Sequence, residues 1–182
     1  MKYLIASDIH GSADWCERLL SAFENEQADK LVLLGDILDH GPRNDFPDGY
    51  SPKRVFAALN AIKEKIVCVR GNCDSEVDQM VLEFPIMADY ALLECNERTL
   101  FATHGHLFNE NALPPLKNGD ILLNGHFHTP CCRELDNGVI YANCGSVSLP
   151  KTDTPHSYIL VDDGVMYWKD LETGGIFDCY TL

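Results

Sequence analysis

Five short segments hold the residues of this chain best suited to chemistry: Asp8-Ile9-His10, Gly35-Asp36, Gly71-Asn72-Cys73-Asp74, His104-Gly105-His106 and Gly125-His126-Phe127-His128. Aspartate supplies oxygen donors and histidine supplies imidazole nitrogens. Each segment follows a stretch that reads as a buried β-strand, and the strand ends of an open α/β sheet converge on one crevice. Mixed oxygen and nitrogen donors gathered there can hold two divalent cations side by side, an arrangement suited to hydrolysis at phosphorus.

The elements that must position these segments can be read from the apolar periodicity. Tyr3-Leu4-Ile5-Ala6-Ser7 is a strand ending at Asp8, and Ser12 can cap a helix carrying Trp15, Leu19, Leu20 and Phe23. Leu31-Val32-Leu33-Leu34 is a buried run that ends at Gly35-Asp36. Ser51-Pro52 opens a second helix with Val55, Leu59 and Ile62 on one face, and Ile66-Val67-Cys68-Val69 ends at Gly71-Asn72. This βαβαβ order, with runs apolar on both faces, predicts a parallel sheet covered by helices.

The second half predicts a short helix from Glu76 to Phe84, then strands at Tyr90 to Glu94, Thr99 to Thr103, Ile121 to Leu123, Val139 to Ala142, Tyr158 to Val161 and Val165 to Trp168. Asp136-Asn137-Gly138 and Asp162-Asp163-Gly164 are hairpin turn signals. Parallel pairing early and antiparallel pairing late predict two packed sheets with helices outside. The tail from Gly174 to Leu182 reads as either a final strand or part of an interface. The irregular stretch from Asp39 to Tyr50 is rich in Gly, Pro and Asp, and loops of that length are commonly functional.

Composition narrows the classes. With 182 residues, 46% of them hydrophobic, the chain has ample material for one domain, 1–182. No apolar run approaches a membrane span, and the chain starts directly in a strand, so no membrane association and a cytoplasmic location are expected. The 28 acidic residues outnumber the 14 basic ones, giving a formal charge of −14 that opposes nucleic-acid binding but not a small anion beside bound cations. Eight cysteines without C-x-x-C spacing argue against a structural zinc site, and Cys68 and Cys95 sit in apolar runs as core residues.

Singly, each motif is weak: Gly-Asp is common, and a lone His-x-His is more often structural or solvated than a ligand. Their order resembles that of the calcineurin-like metallophosphoesterases, in particular the short prokaryotic phosphodiesterase branch, over Lys2 to about Lys151. The resemblance implies an α/β fold, a four-layer αββα sandwich of two mixed β-sheets flanked by helices. It also implies a ligand set, with Asp8, His10 and His128 on one metal, Asn72, His104 and His126 on a second, and Asp36 bridging both. A water or hydroxide between the metals is the implied nucleophile. Only Asp8 and Asp36 of these seven are charged, so a site with two bound cations stays electropositive toward phosphate. Imidazole-rich ligation disfavours Mg²⁺ and Ca²⁺; Mn²⁺ is the metal the resemblance implies first, with Zn²⁺, Fe or Ni²⁺ as alternatives.

Two departures from the wider family bear on the substrate. Cys73 stands where the family's commonest motif has a histidine thought to protonate the leaving group, and a thiol is a poor match for an alkoxide. His40 stands where the phosphoprotein phosphatases have an arginine that helps hold a dianion. Both favour a monoanionic diester with an acidic leaving alcohol. His40, Arg43 and His106 are the candidates for substrate contact, each also readable as solvated or structural, and His156 reads as a surface histidine. Asp74 reads as a structural group, and Asn143-Cys144-Gly145-Ser146, similar to the family's Asn-Pro-Gly-Ser turn, as a support for the His126 loop. The expected activity is metal-dependent hydrolysis of a small phosphodiester. The alternatives are a binding scaffold of the same fold without turnover, or a phosphomonoesterase. A homo-oligomer is compatible with the family's small members, but no contact face is legible.

Overall fold

The first strand, β1 (Tyr3–Ala6), shows why the molecule is layered. All four residues are buried, yet they serve two cores: Leu4 and Ala6 pack toward the helices, Tyr3 and Ile5 toward a second sheet. Side chains alternate across a strand, so a run that is apolar at every position needs cover on both faces. The computed structural model, which describes residues 1–151 and 153–182, supplies that cover. Strand β2 (Lys30–Leu33) pairs with β1 in parallel, and β3 (Ile66–Cys68) pairs with β2 in the same sense.

The connections are helices α1 (Ala13–Asn25) and α2 (Pro52–Asn60), whose Leu19, Phe23, Val55 and Leu59 fill the outer core. Ser12 caps α1 by accepting from the Trp15 N–H at 3.4 Å. Pro52 opens α2, where its missing N–H leaves no helical bond unmade.

Five strands form the second sheet: β4 (Ala91–Cys95), β5 (Arg98–Ala102), β6 (Ile121–Asn124), β7 (Cys131–Glu134) and β8 (Ile140–Asn143), in the order β4-β5-β6-β8-β7. The chain then returns to the first sheet through β9 (Ser157–Asp162), antiparallel to β1, followed by β10 (Val165–Asp170) and β11 (Ile176–Thr181). The six-stranded order is β11-β10-β9-β1-β2-β3. Between the sheets lies a core of Ile5, Leu34, Leu100, Leu123, Ala142 and fully buried Trp168. Trp168 donates its indole N–H to the Asn143 carbonyl at 2.7 Å, which ties the two sheets together beside the Asn143 turn.

Two mixed sheets face to face are the expected architecture, with helices α1 and α2 on the outer face of the six-stranded one, and the differences lie in its details. Pairing in the second half is not antiparallel throughout as expected: β5, β6 and β8 are mutually parallel, joined by irregular connections or by the short edge strand β7 rather than by a helix. The outer face of that sheet, with Phe101, Leu122 and Tyr141, is covered by Phe108 and Leu116 of the irregular segment 105–119. The expected helix from Glu76 to Phe84 is a single turn, α3 (Glu76–Gln79), started by a Ser75–Asp78 capping box. Pro85 disfavours a helical residue before it, and Leu82, Phe84 and Ile86 turn into the outer core instead. The tail is a strand, β11, and β7 was not foreseen.

The consequence for function is geometric. Two parallel triplets, β1-β2-β3 and β5-β6-β8, lie in facing sheets, and the loops after their C-terminal ends meet.

Candidate metal centre

Asp8 and His10 follow β1, Asp36 follows β2, and Asn72 and Cys73 follow β3; His104 follows β5, and His126 and His128 follow β6. The seven sequence-predicted ligands thus come from five strand ends, and their donor atoms converge in two groups. Around the Asp8 carboxylate, His128 Nε2 lies 3.1 Å and His10 Nε2 3.5 Å from Oδ1, and the two imidazole nitrogens are 3.4 Å apart. Around His104 Nε2 stand Asn72 Oδ1 at 3.0 Å, His126 Nδ1 at 3.2 Å and Asp36 Oδ2 at 3.4 Å. Asp36 Oδ2 also lies 3.8 Å from His10 Nε2, so this carboxylate faces both groups.

The separations suit metal ions. Donors at about 2.0–2.2 Å from an ion lie roughly 3.0–3.5 Å from one another along the edges of its coordination shell. The tautomers suit them too. Nδ1 of His10, His104 and His128 sits against the backbone carbonyls of Asp39 (2.8 Å), Leu34 (2.8 Å) and Leu149 (2.6 Å). A carbonyl accepts only, so Nδ1 carries the proton and leaves the Nε2 lone pair facing inward. Asp8 Oδ1 is fully buried with no hydrogen-bond partner among the described residues, a costly vacancy unless a cation fills it. The donor set therefore fits two divalent ions.

The backbone is bent to make this possible. Asp8, His10, Asp36, His126 and His128 all have left-handed φ, between +48° and +61°. For residues other than glycine that conformation is costly and marks functional sites. Close packing fixes it: a Cβ at Gly71 would overlap the Asp36 carboxylate, and one at Gly125 would overlap the Ser7 hydroxyl and crowd Asp8. Asp74 ties the β2 and β3 loops, its Oδ2 accepting from the Asp36 and Gly71 N–H groups (2.8 and 2.7 Å) and its Oδ1 from Ile37 N–H at 2.9 Å.

Across the sheets, Asp8 Oδ2 accepts from His126 N–H at 2.9 Å, and the Ser146 and Ser148 hydroxyls donate to the Asp8 carbonyl. Asn143 Nδ2 donates to the Gly125 carbonyl at 2.7 Å, so the Asn143–Ser146 turn braces the His126 loop.

Electrostatics follow from this crowding. Burial alone would raise the Asp8 carboxyl, but the charge of His104 and the imidazoles of His10 and His128 beside it hold it well below the usual carboxylate range. Asp36 is lowered as well, burial being overcome by His104. Burial likewise opposes protonation of His104, yet the Asp8 and Asp36 carboxylates push it up to about 9. Burial and then the charge on His104 bring His126 down to about 4. Cys73 is driven above the ordinary thiol range by burial first and the Asp36 carboxylate second, so it stays protonated in the metal-free protein. Its N–H donates to Asp36 Oδ1 at 2.8 Å, and its Sγ lies near His10 and Asp36.

Outside the donors opens a cleft of about 480 Å³, lined by His10, Asp36, Asn72, His126 and His128 together with Arg43, Asn44, Cys73, Phe127 and Lys151. Of the three expected substrate contacts, Arg43 lines it. His40 does not; its ring packs against Phe46 and Tyr50, at centroid distances of 4.4 and 5.6 Å. His106 does not line it either; it is half-buried, its ring 5.4 Å from that of His104 and 6.3 Å from that of His126. Asn44, Phe127 and Lys151 were missed; Phe127 alone carried a signal, since it stands between two candidate ligands. His156 is half-buried rather than on the surface, stacked on Trp15 at 3.5 Å.

Comparison with known proteins agrees with this geometry. Residues 1–163 match the calcineurin-like phosphoesterase superfamily domain. The phosphodiesterase YfcE of Escherichia coli K12 is 48% identical over 166 residues, covering 91% of this chain and 90% of that protein. The solved structure of the E. coli phosphoesterase YfcE superposes with a TM-score of 0.96 at 45% identity, covering 100% of this chain and 99% of that one. A zinc complex of Vps29 from Entamoeba histolytica shares the fold, with a TM-score of 0.62 at 18% identity over 100% of this chain and 98% of its own. With its five donor-bearing strand ends and its likeness to YfcE across nine-tenths of its length, the chain belongs to the calcineurin-like phosphoesterase superfamily.

Proposed function

We propose that this chain is a metal-dependent phosphodiesterase that hydrolyses a small phosphodiester. The observation that carries the reading is the convergence of two donor groups that share Asp36, on a cleft that opens to solvent. Asp8, His10 and His128 would hold one ion, Asn72, His104 and His126 the other, with Asp36 between them. When bound, the ions supply an activated water nucleophile and polarise the phosphoryl oxygens. Mn²⁺ is the proposed metal, and the nitrogen-rich donor set leaves Zn²⁺, Fe and Ni²⁺ as competitors.

The chain's own residues orient and discriminate. The carbonyls of Asp39, Leu34 and Leu149 hold three imidazoles in the tautomer that presents Nε2. Arg43 and Lys151 bring positive charge to the cleft of a chain whose formal charge is −14, and so attract a small anion where a nucleic acid would be repelled at long range. Cys73, beside Asp36, carries a thiol where proton donation to an alkoxide would be needed, a poor match that suits an alcohol acidic enough to leave unprotonated. His40, packed on Phe46 and Tyr50, offers the cleft no cation for the second charge of a monoester. Arg43 is the one guanidinium lining the cleft among the described residues, and it makes monoester hydrolysis the second reading. The eight free cysteines accord with a cytoplasmic, reducing setting.

The test is hydrolysis of bis-p-nitrophenyl phosphate beside p-nitrophenyl phosphate, with Mn²⁺ and after chelation. Manganese-dependent cleavage of the diester, at least about tenfold faster than the monoester, is expected. Asp36→Asn should abolish it while circular dichroism stays native. Faster monoester cleavage would transfer the reading to a phosphomonoesterase, and inertness with every metal would leave a scaffold.

A further inference from the structure

Phe127 stands between His126 and His128, whose φ values of +61° and +58° fix the turn on either side of it. Its own N–H closes a tight turn onto the Gly125 carbonyl at 2.6 Å. The residue is 43% exposed and lines the cleft, and its ring meets the His126 ring at a centroid distance of 5.0 Å and an interplanar angle of 70°. A single exposed phenylalanine is ordinary on a protein surface. This one is not scattered. Among the described residues it is the only phenyl ring lining the cleft, and the residues on both sides of it are candidate donors. The turn, closed by the Phe127 N–H, already aims the ring into the cleft, so little ordering is needed for it to meet a ligand. The cleft volume of about 480 Å³ is that of a pocket for a small organic ligand, larger than a bare phosphate requires.

We propose that Phe127 is a specificity-determining residue for phosphodiesters whose retained arm is flat and aromatic, an aryl or nucleoside group, which stacks on its ring while the phosphate faces the donors. The proposal rests on the phosphodiesterase reading above. Aromatic rings present π faces that any base or aryl group can match, and stacking of this kind favours the aromatic ligand by about five- to 150-fold. Arg43 and Lys151 in the same cleft serve the charge of the diester. Specificity would then be split, with cations for the phosphate and a hydrocarbon face for the arm.

Three diesters that share p-nitrophenolate as leaving group test this: methyl, phenyl and thymidine-5′ p-nitrophenyl phosphate, on manganese-loaded protein. The bond broken is the same in all three, so only the retained arm varies. The wild type is expected to prefer the phenyl and thymidine arms over methyl at least about tenfold in kcat/KM. Phe127→Leu should cut that preference at least about fivefold, and Phe127→Trp should keep it. An equal loss for all three substrates would show a structural effect on His126 and His128 and overturn the proposal, as would an unchanged preference in Phe127→Leu. Calorimetric titration with phenylphosphonate and methylphosphonate reads the same preference without turnover. Tighter phenylphosphonate binding that Phe127→Leu abolishes would uphold the aromatic platform even if no diester were cleaved, and then only the phosphodiesterase reading would fail. Equal affinities in the wild type would overturn the platform itself.

Discussion

At the scale of the residue, the donors are held in place at a cost. His126 has a left-handed backbone, its ring is half-buried, and burial beside charged His104 brings its pKa down to about 4. None of this stabilises the fold. Replacing His126 removes the same donor whether glycine or alanine takes its place, but only glycine relaxes a φ of +61°. Metal-free His126→Gly is therefore expected to be more stable than His126→Ala by about 1 kcal/mol in urea denaturation, with both inactive. Equal stabilities would show that the turn carries no strain. Asp74 works the other way. Its carboxylate accepts from three backbone N–H groups that would otherwise be buried unpaired, so it stabilises the loops that hold Asp36 and Asn72.

Element by element, the site depends on how closely neighbouring strand ends approach. Gly71 shows this best: a methyl group there would displace the Asp36 carboxylate although no donor is changed. Gly71→Ala is expected to lower manganese-dependent diester hydrolysis at least about a hundredfold, with bound metal reduced by elemental analysis. Wild-type occupancy would contradict it. The same elements mark what the sequence made legible. Strands buried on both faces, such as Leu31–Leu34, stand out as apolar runs that end at a donor, and hairpin signals at Asp136-Asn137-Gly138 and Asp162-Asp163-Gly164 were readable because glycine is needed there. Edge strand β7 was invisible: Cys131-Cys132-Arg133-Glu134 is half-exposed to exposed and has no apolar face to repeat. The parallel pairing of β5, β6 and β8 was hidden because no helical period marks their crossovers. Arg43 and His40 lie three residues apart in one loop, yet one lines the cleft and the other packs on Phe46 and Tyr50. Tertiary contact decides that, and no local pattern records it.

For the whole molecule, the charge buried at one crevice should govern stability. His104, raised from 6.5 to about 9, favours the folded state while protonated, so its contribution is complete below pH 6.5 and lost as pH rises through about 9. His126, lowered from 6.5 to about 4, acts oppositely: the unfolded chain binds its proton first, so stability falls as pH drops from 6.5 toward 4. Asp8 and Asp36, both lowered, add to the loss on the acid side. Metal-free protein in chelator is thus expected to have its highest Tm near pH 6.5, falling toward pH 9. Manganese should remove the alkaline fall, because the ion replaces the His104 proton. A metal-free Tm that climbs steadily from pH 6.5 to 9 would contradict this.

The most direct test of the dinuclear account is a titration. Protein stripped by chelation and returned to buffer is supplied with Mn²⁺ in steps, and bis-p-nitrophenyl phosphate hydrolysis is followed at each. Activity is predicted to be absent without metal and to level off at two equivalents per chain. Full activity without metal, or a plateau at one equivalent, would contradict a reaction run by two donor groups joined through Asp36.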